Sequence, residues 1–170
     1  RDQLASSSEL LKQKLLSDLI SGIPETEIIE RARALHTGLT AKRYLVMVIE
    51  PRQETAHAED IRAAESMICR LANNSGGTVY MCQIQGRFVL LIMGDDDADV
   101  EERTYGLAQS VQYDIERNTP LKPMVTIGTT VDSLHMVPQS YRGACSLLAT
   151  MCETGEGEHD RRILGVLDIA

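Results

Sequence analysis

Residues 78–93, TVYMCQIQGRFVLLIM, place two apolar runs on either side of a short polar tip that contains one glycine. Two β-prone runs joined by so short a connection fold back on each other as an antiparallel hairpin. The tip is Gln85-Gly86, and glycine tolerates positive φ at little cost. Patterns on either side of the hairpin alternate between helix and strand. A hairpin in that position rules out a doubly wound parallel sheet, whose strands are all joined by crossovers. It calls for a mixed sheet with antiparallel pairs.

RYLVMVIE, residues 43–50, is almost wholly apolar and reads as a strand covered on both faces, stopped by Pro51. EDIRAAESMICRLAN has helical spacing, with Ile61, Ala64, Ile68 and Leu71 on one face, and NNSGG after it is a turn. The acidic GDDDADVEE reads as a solvated loop entering a helix that runs to about Arg117, its carboxylates favoured at the helix N-terminus. PMVTIGTTVD is the next strand, Pro138 opens a helix containing QSYRGACSLLATM, ETGEGEHD is a loop, and RRILGVLDI is the last strand. The order after residue 40 is therefore β-α-β-β-α-β-α-β, with a split βαβ, ferredoxin-like core.

Two helices precede it. Residues 3–21 carry Leu4, Leu11, Leu15 and Leu19 on one stripe, with Leu16 and Ile20 beside it, and Gly22 and Pro24 end the helix. The stripe can pack on its own domain or on the same helix of a second chain, which makes this a candidate dimer helix. PETEIIERARALHTG follows, with Pro24 in its first turn, Glu25 and Glu27 at its N-terminus and Gly38 as the expected C-terminal cap. The expected division is residues 1–40 as leading helices and 41–170 as an α+β domain.

With 170 residues, 43% of them hydrophobic, the chain can bury a core without disulfides or metal. A net charge of -8 repels phosphate backbones and argues against direct DNA contact by this segment. Cys69, Cys82, Cys145 and Cys152 form no C-x-x-C pair, which fits reduced thiols in a cytoplasmic protein. No run approaches transmembrane length and no signal peptide is visible, so no membrane partner is expected. The helical pattern is already under way at Arg1, so a fragment of a longer protein is expected.

Catalytic patterns are lacking. NNSGG and TGEG have no P-loop Lys-Ser/Thr, and the three consecutive Asp do not have calcium-loop spacing. His36, His57, His135 and His159 are separate and form no i, i+4 metal pair. There is no G-x-S-x-G elbow, and Ser140 reads as a helix-start residue that supports local hydrogen bonding. No catalytic residue, metal ligand or cofactor is assigned.

The hairpin, the TIG strand and the SYRGA helix together resemble the GGDEF superfamily, the diguanylate cyclase fold. Setting Phe88 on the motif's Phe places Ile84, Gln85, Gly86 and Arg87 on its other positions, so the acidic pair is replaced by Gly86 and Arg87. On the first strand, VIEP offers Glu50 as a vestigial acidic position. Two-metal phosphoryl chemistry needs several converging carboxylates, and one Glu facing an Arg does not supply them. The resemblance thus implies a degenerate GGDEF-like fold, related to ferredoxins, without the activity.

LLKQKLLSDLISGIPETEIIERARALHTGLTAKRYLVMVIE, VTIGTTVDSLHMVPQSYRGACSLL and RRILGVLDI resemble more closely the GGDEF-like domain of PucR/CdaR-type transcriptional regulators. The middle domain of YesN/AraC-type response regulators is similar. Gly143 departs from the acidic residue expected after Ser-Tyr-x. The resemblance implies a relay and self-association domain of a homodimeric regulator. DNA would be bound only through a helix-turn-helix outside this segment. The tip then reads as a turn and Arg87 as a solvent- or partner-facing cation. The alternative is a tip that binds an anion, in a nucleotide sensor or weak cyclase.

Overall fold

Six consecutive residues, Tyr44–Ile49, are buried within β1 (Arg43–Glu50), and the topology explains why. β1 is the middle strand of a five-stranded sheet ordered β2-β3-β1-β4-β5. Its neighbours are β2 (Val79–Ile84), β3 (Arg87–Gly94), β4 (Met124–Ile127) and β5 (Ile163–Gly165). A computed structural model describes residues 2–51, 56–154 and 163–166; for 2–8, 153 and 154 it describes the backbone alone. β1, β2, β3 and β4 pair antiparallel, and β5 adds to β4 in parallel. The protein is therefore α+β with a mixed, mostly antiparallel sheet.

Alternation along the strands sends side chains to two cores. Leu45, Met47, Ile49, Phe88, Leu90 and Ile92 lie under α3 (Ala58–Asn73) and α4 (Asp97–Asn118). Val46, Val48, Cys82, Val89 and Leu91 lie under α1 (Asp2–Ser21), α2 (Glu25–Ala34) and α5 (Val137–Thr154). With β1, α3, β2, β3, α4 and β4 in spatial order β2-β3-β1-β4, the core is the split βαβ arrangement. The acidic entry to α4 behaves as its composition implies: Asp96 is the N-cap, accepting from the Asp99 amide at 2.8 Å.

The leucine stripe of α1 divides. Leu15 and Leu19 are 0% and 1% exposed and belong to the chain's own core, together with Leu16 and Ile20. Leu11 is 48% exposed, and the side chain of Leu4 lies outside the described residues.

Two elements differ from the sequence expectation. α2 ends at Ala34, so Gly38 is not its cap. His36 takes the left-handed position at φ 54, while Thr37 N donates to Ala32 O and His36 N to Arg33 O. That is a Schellman closure with histidine where glycine is usual. The helix stops early because two tyrosines hold the following linker. Tyr80 Oη bonds Thr37 Oγ1 and Gly38 O, and Tyr44 Oη donates to Leu39 O at 2.8 Å. His36→Gly is therefore expected to stabilise the protein by about 0.5–1 kcal/mol, read from a denaturant midpoint at unchanged slope. An unchanged or lowered midpoint would refute the strain at His36.

β4 is the second difference. It ends at Ile127, not near Asp132; the Gly128 amide still donates to Val46 O at 2.9 Å, and the next bridge to β1 is Tyr44–Val131. α5 causes the break. Ser140, expected to bond within its own helix start, instead accepts from Val46 N of β1 at 2.9 Å. Thr126 Oγ1 donates to Ala144 O at 2.8 Å, a second tie from β4 to α5. β5 is described over Ile163–Gly165 and gives way to a 3-10 turn at Val166; the remaining residues of the expected last strand, and the 155–160 part of the expected loop, lie outside the described residues. Among the described residues, no helix is long and apolar enough to cross a membrane.

Candidate functional site

The hairpin tip is a two-residue turn closed by the Ile84–Arg87 pair. Gln85 and Gly86 both have positive φ, 53° and 78°, which defines a type I′ turn. That geometry matches the right-handed twist of the flanking strands. Arg87 is the first residue of β3, and Phe88, next along, pairs with Ile49 of β1. Neighbouring residues of a strand point to opposite faces. Phe88 therefore enters the core under α3 and α4, while Arg87 emerges on the α1/α5 face beside Glu50.

The Arg87 Nε donates to Glu50 Oε1 at 3.1 Å, with the two side chains 31% and 27% exposed. Arg87 is thus a partly buried, paired cation and not a freely solvated one. Tyr141 and Cys145, one turn apart on α5, stand on the same side of the helix and interact with each other and with Arg87. Burial, followed by the interaction with Cys145, pushes the Tyr141 hydroxyl up to about 12. Burial pushes the nearby Cys82 thiol up to about 12 as well. Neither group offers an anionic nucleophile near neutral pH.

A Mg²⁺ pair does not fit this arrangement. The one carboxylate, Glu50, is already engaged by a guanidinium, and a second cation beside Arg87 would meet repulsion. Among the described residues no group of three or more His, Cys, Asp and Glu could hold a metal ion. His36, His57 and His135 stay apart in this respect, and His159 lies outside the described residues. The four sequence-assigned tip residues and Glu50 come together at one end of the sheet; Leu15 and Leu19 of α1 lie elsewhere, in the core on the face from which Arg87 emerges.

Sequence reasoning did not find Tyr141 and Cys145, whose approach to Arg87 depends on how α5 lies across the sheet. It also did not find Arg103, whose guanidinium joins Met93 O, Thr78 Oγ1 and the Asp99 carboxylate at the far end of the hairpin. Gly94 is the local signal there, because a Cβ on it would stand 2.7 Å from the Arg103 guanidinium.

A family model for the GGDEF-like domain matches residues 21–150. No curated protein matches this chain. Among solved structures, the chain is similar to the regulator of polyketide synthase expression from Bifidobacterium adolescentis, at 9% identity and a TM-score of 0.50. That similarity covers 82% of this chain and 51% of the other, so this chain spans about half the length of that protein. At such identity the likeness is one of fold. The match over residues 21–150 is sequence-based and takes in the hairpin, both strands around Glu50 and Gly128, and most of α5; the chain belongs to the GGDEF-like domain family.

Proposed function

We propose that this domain is a non-catalytic regulatory and relay module of a cytoplasmic bacterial transcriptional regulator of the PucR/CdaR type. It self-associates, and DNA is contacted by a helix-turn-helix outside these residues. The observation that carries the reading is the Arg87–Glu50 ion pair, which puts a cation where phosphoryl transfer needs a carboxylate. The net charge of -8 supports it, because this segment is a poor surface for a phosphate backbone. The fold likeness to a protein named as a regulator of polyketide synthase expression is in keeping with it.

Thermal denaturation with GTP, ATP and cyclic dinucleotides, each with and without Mg²⁺, tests the proposal. A ligand that binds only the folded state adds about 2.7 kcal/mol at a hundredfold excess over its Kd, a readily visible shift. The expected result is no shift up to millimolar nucleotide. A Mg²⁺-dependent shift that disappears in Glu50→Ala would replace the relay by a nucleotide sensor or weak cyclase.

A further inference from the structure

β2 forms one edge of the sheet, and among the described residues no further strand pairs with its outer side. Its sequence, VYMCQI, has no proline and no charge, and its pairing with β3 is continuous with no bulge. Natural edge strands are normally blunted by such devices or by a covering helix or loop, and here α1 is the covering element. Met93 N donates to Thr78 O, so the inward pairs with β3 fall at 78, 80, 82 and 84. The main-chain groups of Val79, Met81 and Gln83 therefore point outward, and among the described residues no main-chain partner meets them.

α1 packs over this strand, and its outer side is incomplete too. Leu10 and Leu11 are 64% and 48% exposed; among the described residues the other exposed large hydrophobic is Tyr113, on α4. A cavity of about 180 Å³ runs along the β2 edge, lined by Glu9, Lys12, Cys69, Asn73, Val79 and Met81. α1 and α3 lie on opposite faces of the sheet, so this cavity wraps the strand's outer edge.

We propose that the α1–β2 edge is the self-association surface and that a second copy of this chain occupies it. The inference rests on the self-association reading above and names its surface. A two-fold axis normal to the sheet at Met81 pairs β2 with β2 of the other copy, antiparallel, with Val79 against Gln83. The outward main-chain groups of both strands are then satisfied. The same axis sets the two α1 helices side by side and antiparallel over the seam. Centred between Leu10 and Leu11, that contact buries both leucines and places Glu9 of each chain against Lys12 of the other. The surface is thus self-complementary in hydrogen bonding, apolar area and charge. Leu15 and Leu19, engaged in the chain's own core, take no part.

The test is sedimentation of the whole chain and two charge variants, alone and mixed. Glu9→Lys sets Lys against Lys across the axis, and Lys12→Glu sets Glu against Glu. Each alone is expected to weaken the dimer about tenfold, and an equimolar mixture of the two to restore it, since every cross-axis pair is then opposite in sign. Both variants equally break the Glu9–Lys12 pair within the helix, so loss of helix stability cannot produce rescue on mixing. Hydrogen exchange gives the strand readout: the Val79, Met81 and Gln83 amides are expected to be protected in the dimer and fast in the single variants. A wild-type dimer that neither variant weakens, or that leaves those amides fast, overturns this surface and keeps self-association. A wild-type chain that stays monomeric at high micromolar concentration overturns both.

Discussion

Gly128→Ala is expected to destabilise the protein by about 3 kcal/mol or more and to lower the thermal midpoint by about 6–12 °C. A Cβ at this position would be driven onto the Ser140 carbonyl oxygen and to 2.8 Å from its carbonyl carbon. Those are backbone atoms of α5 and cannot swing aside as a side chain can. The approach is fixed from the other side by Ser140 Oγ, which accepts from the buried Val46 amide, and by Thr126 Oγ1, which reaches Ala144 O. α5 could retreat only by breaking bonds that satisfy buried groups. Ser140→Ala alone is expected to cost about 1–3 kcal/mol, because the Val46 amide loses its acceptor. It does not relieve Gly128→Ala, since the clash is with main chain. Urea denaturation of both single variants and the double variant checks this. Rescue of Gly128→Ala by Ser140→Ala would show that the hydroxyl, not the backbone, sets the spacing.

Phe88→Ala is expected to cost about 3–5 kcal/mol, and Phe88→Leu below about 1.5 kcal/mol. Phe88 is the chain's single phenylalanine, is 1% exposed, and fills the core between the sheet and α3/α4. Its alanine variant leaves a cavity at the start of β3, where β2 on one side and β1 on the other limit collapse. The contrast with the hairpin tip is informative. Gln85→Asn keeps a residue that tolerates positive φ and is expected to leave stability within about 0.5 kcal/mol. Of the motif-aligned residues, Phe88 thus acts through the core, Gly86 through the turn, and Arg87 through its pair with Glu50. Denaturant midpoints of the three variants decide the matter; a Phe88→Ala cost below about 1.5 kcal/mol would contradict the packing described.

The strands and the hairpin were legible because apolar runs with a Gly tip allow few arrangements. The substitution of Arg87 for an acid was legible once Phe88 was aligned; its ion pair with Glu50 was not, because the register of β1 against β3 is set by the assembled sheet. The capping of α4 by Asp96 was visible in composition. The early end of α2 was not. Gly38 is the better cap by residue type, yet Tyr80 and Tyr44 reach the linker from the sheet and force the left-handed residue back to His36. β4 was misread for the same kind of reason. VTIGTTV is a good strand by propensity, but α5 crosses it at Gly128 and Ser140 takes over the Val46 amide. A glycine inside a strand pattern signals such an approach without saying what approaches.

By itself the sequence determined the order of elements and the mixed sheet, because these follow from local periodicity and residue type, and its resemblance to the GGDEF motif marked Glu50 as the single carboxylate of the vestigial site. The tertiary structure alone decided which leucines of α1 are spent on the core, which face Arg87 emerges on, and that β2 ends the sheet with α1 packed over it. Those outcomes depend on contacts between residues far apart in the chain, such as Ser140 with Val46 and α1 with β2. Local pattern tells a residue whether to be buried; only the packing of whole elements tells it against what.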